Sequence, residues 1–187
     1  MKRRGPYAKG VARRIQTLTA AETLVLERGH EATTMRLVAE RVGVTEAALY
    51  YHFPSKDVLL VELLRFRDER SRARYEGVDP VETLLRIVEE NQVEPAVIRL
   101  IASMAAGASD PQHPAHDYFQ ERYQRLTREF SAGLKGRLGG LPDERVAEIA
   151  NLLIASADGL QTRWLIDPTT DMVAHLRVLT DAVLGGS

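Results

Sequence analysis

Between its glycines and prolines the chain repeats apolar residues at three and four positions, and no segment alternates them. A helix buries one stripe whereas a strand buries every second residue, so this spacing restricts the fold to packed helices. We expect an all-α architecture of about nine helices. The first runs from about Lys9 to Arg28 on Leu18, Ala21 and Val25, with Gly29 placed to end it. Thr34 can cap a short second helix, Met35 to Val42, which Gly43 stops, and Thr45 can cap a third through Tyr51. Ser55 caps a longer fourth bearing Leu59, Leu60, Leu63, Leu64 and Phe66, before the break at Glu76 to Pro80. Leu84, Leu85 and Val88 mark a fifth, and Pro95 opens a sixth with Ile98, Ile101 and Met104. After a loop from Gly107 to Pro114, a seventh steps through Phe119, Tyr123, Leu126, Phe130 and Leu134 to Gly139-Gly140. Pro142 starts an eighth reaching Trp164 and Leu165, and a ninth spans about Asp171 to Leu184.

With 44% hydrophobic and 27% charged residues over 187 positions, such helices can bury a real core. The absence of cysteine excludes disulfides and thiolate zinc sites. Lys2, Arg3 and Arg4 are followed by no apolar run of a secretory signal, and charges break every stretch that could approach the roughly 20 residues of a membrane span. The reading is of a soluble, cytoplasmic protein. Its net charge of −1 hides an asymmetry: Met1 to Lys56 holds ten Lys and Arg against five Asp and Glu, and the remainder fifteen against twenty-one. A basic head on an acidic body is the footprint of a polyanion partner, although charge alone fits a solvated tail equally well.

Two helices of about seven residues joined at a glycine are not stable alone and must pack on a neighbour. The first helix offers that surface, and three helices so arranged make a helix-turn-helix, whose last member can enter a major groove roughly 12 Å wide. That member is Thr45-Glu46-Ala47-Ala48-Leu49-Tyr50-Tyr51. Ala47 and Ala48 permit close approach to base edges, Leu49 should point into the core, and Tyr50, Tyr51 and His52 can donate to phosphates. Lys56, at the positive end of the fourth helix, is a candidate phosphate clamp. Thr34 and Arg36 lie at the start of the second helix, where Arg36 can reach phosphate or a guanine edge. Lys2, Arg3, Arg4, Lys9, Arg13 and Arg14 could extend the contact as an arm. The same phenols and imidazole could instead be the apolar end of a helix hairpin.

The run Thr33-Thr34-Met35-Arg36, Val38-Ala39, Gly43-Val44-Thr45, Leu49-Tyr50-Tyr51-His52-Phe53 and Lys56 closely resembles the N-terminal signature of TetR-family regulators. Thr17 departs from it, since the family usually places a large aliphatic residue there. The resemblance implies an all-helical homodimer, a DNA-binding head at residues 1–56 and a ligand-binding and dimerisation domain at 57–187. It also implies that Tyr50, His52 and Lys56 contact phosphates and that Arg36, Thr45, Glu46, Ala47 and Ala48 read or face bases. The function so implied is that of a repressor released from a palindromic operator by a small-molecule, partly apolar effector.

In the body, Ala147, Ala150, Ile154, Ala157, Gln161 and Leu165 step by three and four as a stripe of small and aliphatic residues. With Val173, Leu176, Leu179 and Val183 beside it, the stripe suits a four-helix dimer bundle, or the chain's own core. The segment Ala157-Asp158-Gly159-Leu160-Gln161 with Arg163-Trp164-Leu165 also resembles the dimerising, pocket-lining eighth helix of TetR relatives. Phe119, Tyr123, Trp164, Met104 and Leu126 are candidates for a pocket wall, and Asn91, Gln92, Arg122 and Gln161 for its polar anchors. Asp110, His113, His116 and Asp117 could suit a metal, but Pro114 puts His113 in the loop and His116 in the next helix, so no metal or cofactor is expected. The rival readings are a small helical metal-dependent hydrolase using those residues and a helix-turn-helix regulator without an effector. The chain has no nucleophile elbow, phosphate loop or glycine-rich dinucleotide turn, so we read no enzyme.

Overall fold

The computed structural model describes residues 6–185. Lys2, Arg3 and Arg4 of the expected arm, and the side chain of Lys9, lie outside what is described. Among the described residues nine helices follow one another: α1 Pro6–Arg28, α2 Met35–Val42, α3 Glu46–His52, α4 Lys56–Arg74, α5 Pro80–Gln92, α6 Pro95–Gly107, α7 His116–Leu134, α8 Asp143–Ile166 and α9 Met172–Leu184. Among the described residues there is no strand, and no helix is long and apolar enough to cross a membrane.

Local chemistry sets the helix ends. Thr34 Oγ1 accepts from Leu37 N at 3.3 Å, Thr45 Oγ1 from Ala48 N at 3.2 Å and Ser55 Oγ from Val58 N at 3.1 Å, each satisfying an amide that the first turn leaves free. Asp79 does the same for α5 with Pro80 behind it, and Asp171 for α9. Gly43 closes α2 at φ 74°, a left-handed conformation that suits glycine. Two boundaries shift: α1 begins at Pro6 rather than near Lys9, and α7 ends at Leu134, a turn before the Gly139-Gly140 expected to stop it.

Two apolar clusters hold these helices. In the first, Leu18, Ala21, Leu24 and Val25 of α1 meet Val38, Val42, Leu49 and Phe53, and the cluster continues through Leu59 to Leu64 of α4 into Leu100 and Met104 of α6 and Tyr118 and Phe119 of α7. This core runs unbroken across residue 56. Thr17 is buried in α1 beside it, and its hydroxyl donates to Arg13 O at 3.0 Å, so a residue smaller and more polar than the usual one is accommodated. The second cluster joins α5 and α6 to the far half of α7 and to α8 and α9 through Val88, Ile98, Phe130, Leu134, Leu153 and Met172.

The second cluster takes up part of the stripe on α8 and α9. Ala150, Ile154, Ala157 and Leu176, expected at a dimer face, are 0%, 5%, 2% and 0% exposed within one chain. They form the inner stripe of α8 and α9, and Ala147, Leu165 and Leu179 are half-buried beside them. The outer face of these helices carries Leu152, Ile166 and Val178, exposed by 48%, 83% and 70%. An open groove of about 540 Å³ borders it, lined by Leu141, Arg145, Ile149, Leu152, Ala182 and Val183.

Candidate nucleic-acid interface and sensor region

Leu49, the one buried residue of α3, roots this seven-residue helix in the first cluster. Phe53 follows it, fully buried with Arg14 stacked over its ring at 5.1 Å, and its extended backbone ends the helix. With those anchors fixed, helical spacing turns the other side chains outward. Thr45, Glu46, Ala47 and Ala48 are exposed, as are Tyr50, Tyr51 and His52, and Tyr51 is 85% exposed with the His52 ring edge-on at 5.2 Å. The result is a protruding helix with small side chains at its middle and hydrogen-bonding rings at its end. That shape fits a groove lined by base edges and bordered by phosphates.

The basic side chains around it are already engaged. Arg36 Nε donates to Glu40 Oε1 at 2.9 Å on the exposed side of α2, next to the exposed cap Thr34. Lys56 Nζ donates to Glu31 O at 2.8 Å, so the residue expected to clamp phosphate also ties α4 to the α1–α2 turn. Arg13 Nη1 donates to Val42 O at 3.2 Å, Arg14 pairs with Glu62, and Arg41 pairs with Glu27 at 2.9 Å. Pairs this exposed exchange readily, so each guanidinium can move from carboxylate to phosphate.

The expected pocket residues straddle the seam between the clusters. Met104 and Phe119 pack in the first, and Leu126 and Trp164 against the second. Phe119 stacks between Tyr118 and Tyr123 with centroids 5.0 and 5.9 Å away, and Arg122 lies over the Tyr123 ring. Around them Asp68 of α4 accepts from Tyr118 Oη at 3.1 Å and from Arg125 Nη2 at 2.7 Å, and pairs with Arg122 Nε at 3.3 Å. Tyr123 Oη donates to Asp158 Oδ2 at 2.9 Å, and burial, with the Asp158 charge adding to it, pushes the Tyr123 phenol up to about 12. Burial likewise raises the Tyr118 phenol. Asn91 and Gln161, expected as anchors, are buried and bonded to each other.

The histidines of the α6–α7 loop have internal roles. Ala115 N donates to His113 Nδ1 at 3.1 Å, and His116 Nδ1 donates to Ala108 O at 2.8 Å, which fixes both rings to backbone. Among the described residues no three of His, Asp and Glu stand together as metal ligands. Sequence reasoning missed the pairing of Glu22 on α1 with Arg67 and Arg70 on α4, at separations of 45 and 48 residues. The only hint was a glutamate on the apolar side of the first helix.

Comparison with known proteins places this arrangement. The pattern defining bacterial regulatory proteins of the tetR family matches residues 18–63. The nucleoid occlusion factor SlmA of Alteromonas mediterranea is 32% identical over 165 residues, 82% of this chain and 84% of that protein. The HTH-type transcriptional repressor KstR2 of Rhodococcus jostii is 30% identical over 114 residues, and the match spans 61% of this chain but only 52% of that repressor. Among solved structures, a regulator from Saccharomonospora viridis in complex with choline superposes with a TM-score of 0.66 at 25% identity, covering 90% of this chain and 93% of its own.

Proposed function

Since the chain belongs to the TetR family and is a DNA-binding regulator of transcription, we propose that it acts as a homodimeric repressor, released from a palindromic operator by a small-molecule effector. The observation that carries this reading is the outward display of α3: Leu49 is 2% exposed while Tyr51 is 85% exposed. Thr34, Arg36 and Thr45 to Ala48 would face base edges, and Tyr50, Tyr51, His52 and Lys56 would hold the flanking phosphates. Residues 1–56 would form the reading head and 57–187 the sensing and pairing body. Family membership among regulators sets the hydrolase alternative aside.

Two copies would pair through the outer faces of α8 and α9, because Leu152, Ile166 and Val178 are apolar and exposed there. Such a pair would set two α3 helices about 34 Å apart, one turn of duplex. The choline held by a relative of like fold supports a small-molecule effector, and the seam at Phe119, Arg122, Tyr123 and Asp158 offers the aromatic and polar groups to receive one. Selection from a random duplex pool tests the reading. We expect enrichment of an inverted repeat with half-sites one helical turn apart. Enrichment of unpaired sites, or none, would sink it.

A further inference from the structure

The two predicted anchors that bond to each other open a polar line through the molecule. Asn91 Nδ2 donates to Gln161 Oε1, and Gln161 Nε2 donates to Ala157 O at 3.2 Å, so both amides are held inside the fold. Three residues on, Glu94 N donates to the Asn91 carbonyl at 3.0 Å across the α5–α6 turn. The Glu94 carboxylate does not cap α6, which it precedes; it accepts instead from Arg67 Nη2 of α4 at 2.6 Å. The other arm of that guanidinium, Nη1, donates to Glu22 on α1. Glu22 also accepts from Arg70 at 2.6 and 3.0 Å. Hydrogen bonds thus connect α8, the α5–α6 turn, α4 and α1 in series.

We infer that Arg67 is a positioning residue for DNA binding: its two carboxylate partners set the angle of the head against the body, and the Asn91–Gln161 pair sets Arg67 through Glu94. The inference rests on the regulator reading above. A guanidinium is a rigid planar fork, so two carboxylates on its two arms are fixed relative to each other in a way that a lysine could not match. The Glu22 side chain is 11% exposed, that of Arg67 20% and that of Glu94 35%, so Glu22 and Arg67 have little water to replace a lost partner. Val93, between Asn91 and Glu94, is 82% exposed, so within the turn itself these two residues are tied by hydrogen bonds rather than by the valine. A molecule that takes the Asn91 amide from Gln161 would therefore displace Glu94, and Arg67 would pass the shift to α1.

A double-mutant cycle on the full chain tests this without an effector. Affinity for a duplex selected by the wild type from a random pool is measured by fluorescence anisotropy for wild type, Gln161→Leu, Glu94→Gln and the pair. If the line is continuous, Gln161→Leu changes affinity in the wild type and loses that effect once Glu94 is Gln, with a coupling factor of about 5 or more, the range of allosteric couplings. Any factor above about twofold supports the inference. A factor within about twofold, the additivity of independent sites, overturns it. Arg67→Lys keeps the charge but not the fork and should mimic Glu94→Gln; full retention of the Gln161 effect in Arg67→Lys also overturns it. The readout is a ratio of affinities at matched folded fraction, checked by dichroism melts, so a purely structural loss does not imitate coupling. If the wild type selects a duplex and the cycle is additive, only this inference fails. If it selects none, the regulator reading fails and takes the inference with it.

Discussion

Replacing Lys56 with Met separates the two jobs that its geometry allows. The ammonium bonds the Glu31 carbonyl at 2.8 Å and stands in the first turn of α4, behind the Ser55 cap and close to the end of α3. If it also neutralises a phosphate, a dimer loses two such contacts. Each phosphate contact contributes a slope of about −0.9 in log affinity against log salt, so the slope should become shallower by about 1.8. The same term makes the variant about 60-fold weaker at 0.1 M salt and about ninefold weaker at 0.3 M. The bond to Glu31 is exposed, so its loss should cost less than about 1 kcal/mol of folding and lower the melting temperature by no more than about 4 °C. Fluorescence anisotropy of a selected duplex across salt, with dichroism melts alongside, reads both quantities. Lys135→Met, which removes an exposed pair with Asp143 outside the proposed interface, should leave the slope as in the wild type. Weaker binding with an unchanged slope would refute the reasoning, because it would mean that Lys56 acts only by tying down the α1–α2 turn.

Leu152→Glu should halve the sedimenting mass from a dimer towards the 20.9 kDa monomer without unfolding it, since Leu152 is 48% exposed, whereas Ile154→Glu, at 5% exposure, buries a carboxylate and should cost more than about 4 kcal/mol in a denaturant titration. A folded monomer from Ile154→Glu and an intact dimer from Leu152→Glu would reverse the assignment of faces. Tyr123 gives a pH signature: its folded phenol is raised from the ordinary 10 to about 12, so the stability it contributes is complete below pH 10 and is lost as pH climbs towards 12. The wild-type melting temperature should therefore fall more steeply than that of Tyr123→Phe across this window, and parallel curves would count against the Tyr123–Asp158 contact.

What could be read from the sequence was what local chemistry decides. Thr34, Thr45 and Ser55 could be recognised as caps because the amides they satisfy lie three residues on, and the phase of Leu49 against Tyr50 and Tyr51 follows from the helical repeat. The phase of Ala150, Ile154 and Ala157 was equally readable, but periodicity says only that a stripe is buried, not whether a second copy or the chain itself covers it. Here α9 and the far half of α7 cover it, and the face left open shows only as scattered apolar residues at Leu152, Ile166 and Val178. Asn91 and Gln161 looked like free polar anchors because nothing in a linear reading pairs residues 70 positions apart. Arg67 was invisible for the same reason, as one arginine among several on a polar helix.

The way α4 is held explains why such links bear on function. Its first half is locked by Leu59, Leu60, Leu63 and Leu64, each 3% exposed or less, into the core that contains α3. Moving that half against the head would break close-packed contacts together, at about 2 kcal/mol or more for each leucine uncovered. Its second half meets the body mainly through charges: Arg65 with Glu121 at 2.8 Å, Asp68 with Arg122 and Arg125, Arg72 with Glu129 at 3.5 Å and Arg74 with Glu90 at 2.9 Å. The pairs of Arg65, Arg72 and Arg74 are exposed and worth about 0.2 to 1 kcal/mol apiece, whereas Asp68 with Arg122 and Arg125 is largely buried and costs more to break. The same core also takes in Leu100 and Met104 of α6 and Tyr118 and Phe119 of α7, so α4 is packed on the body as well as on the head and cannot shift without moving both.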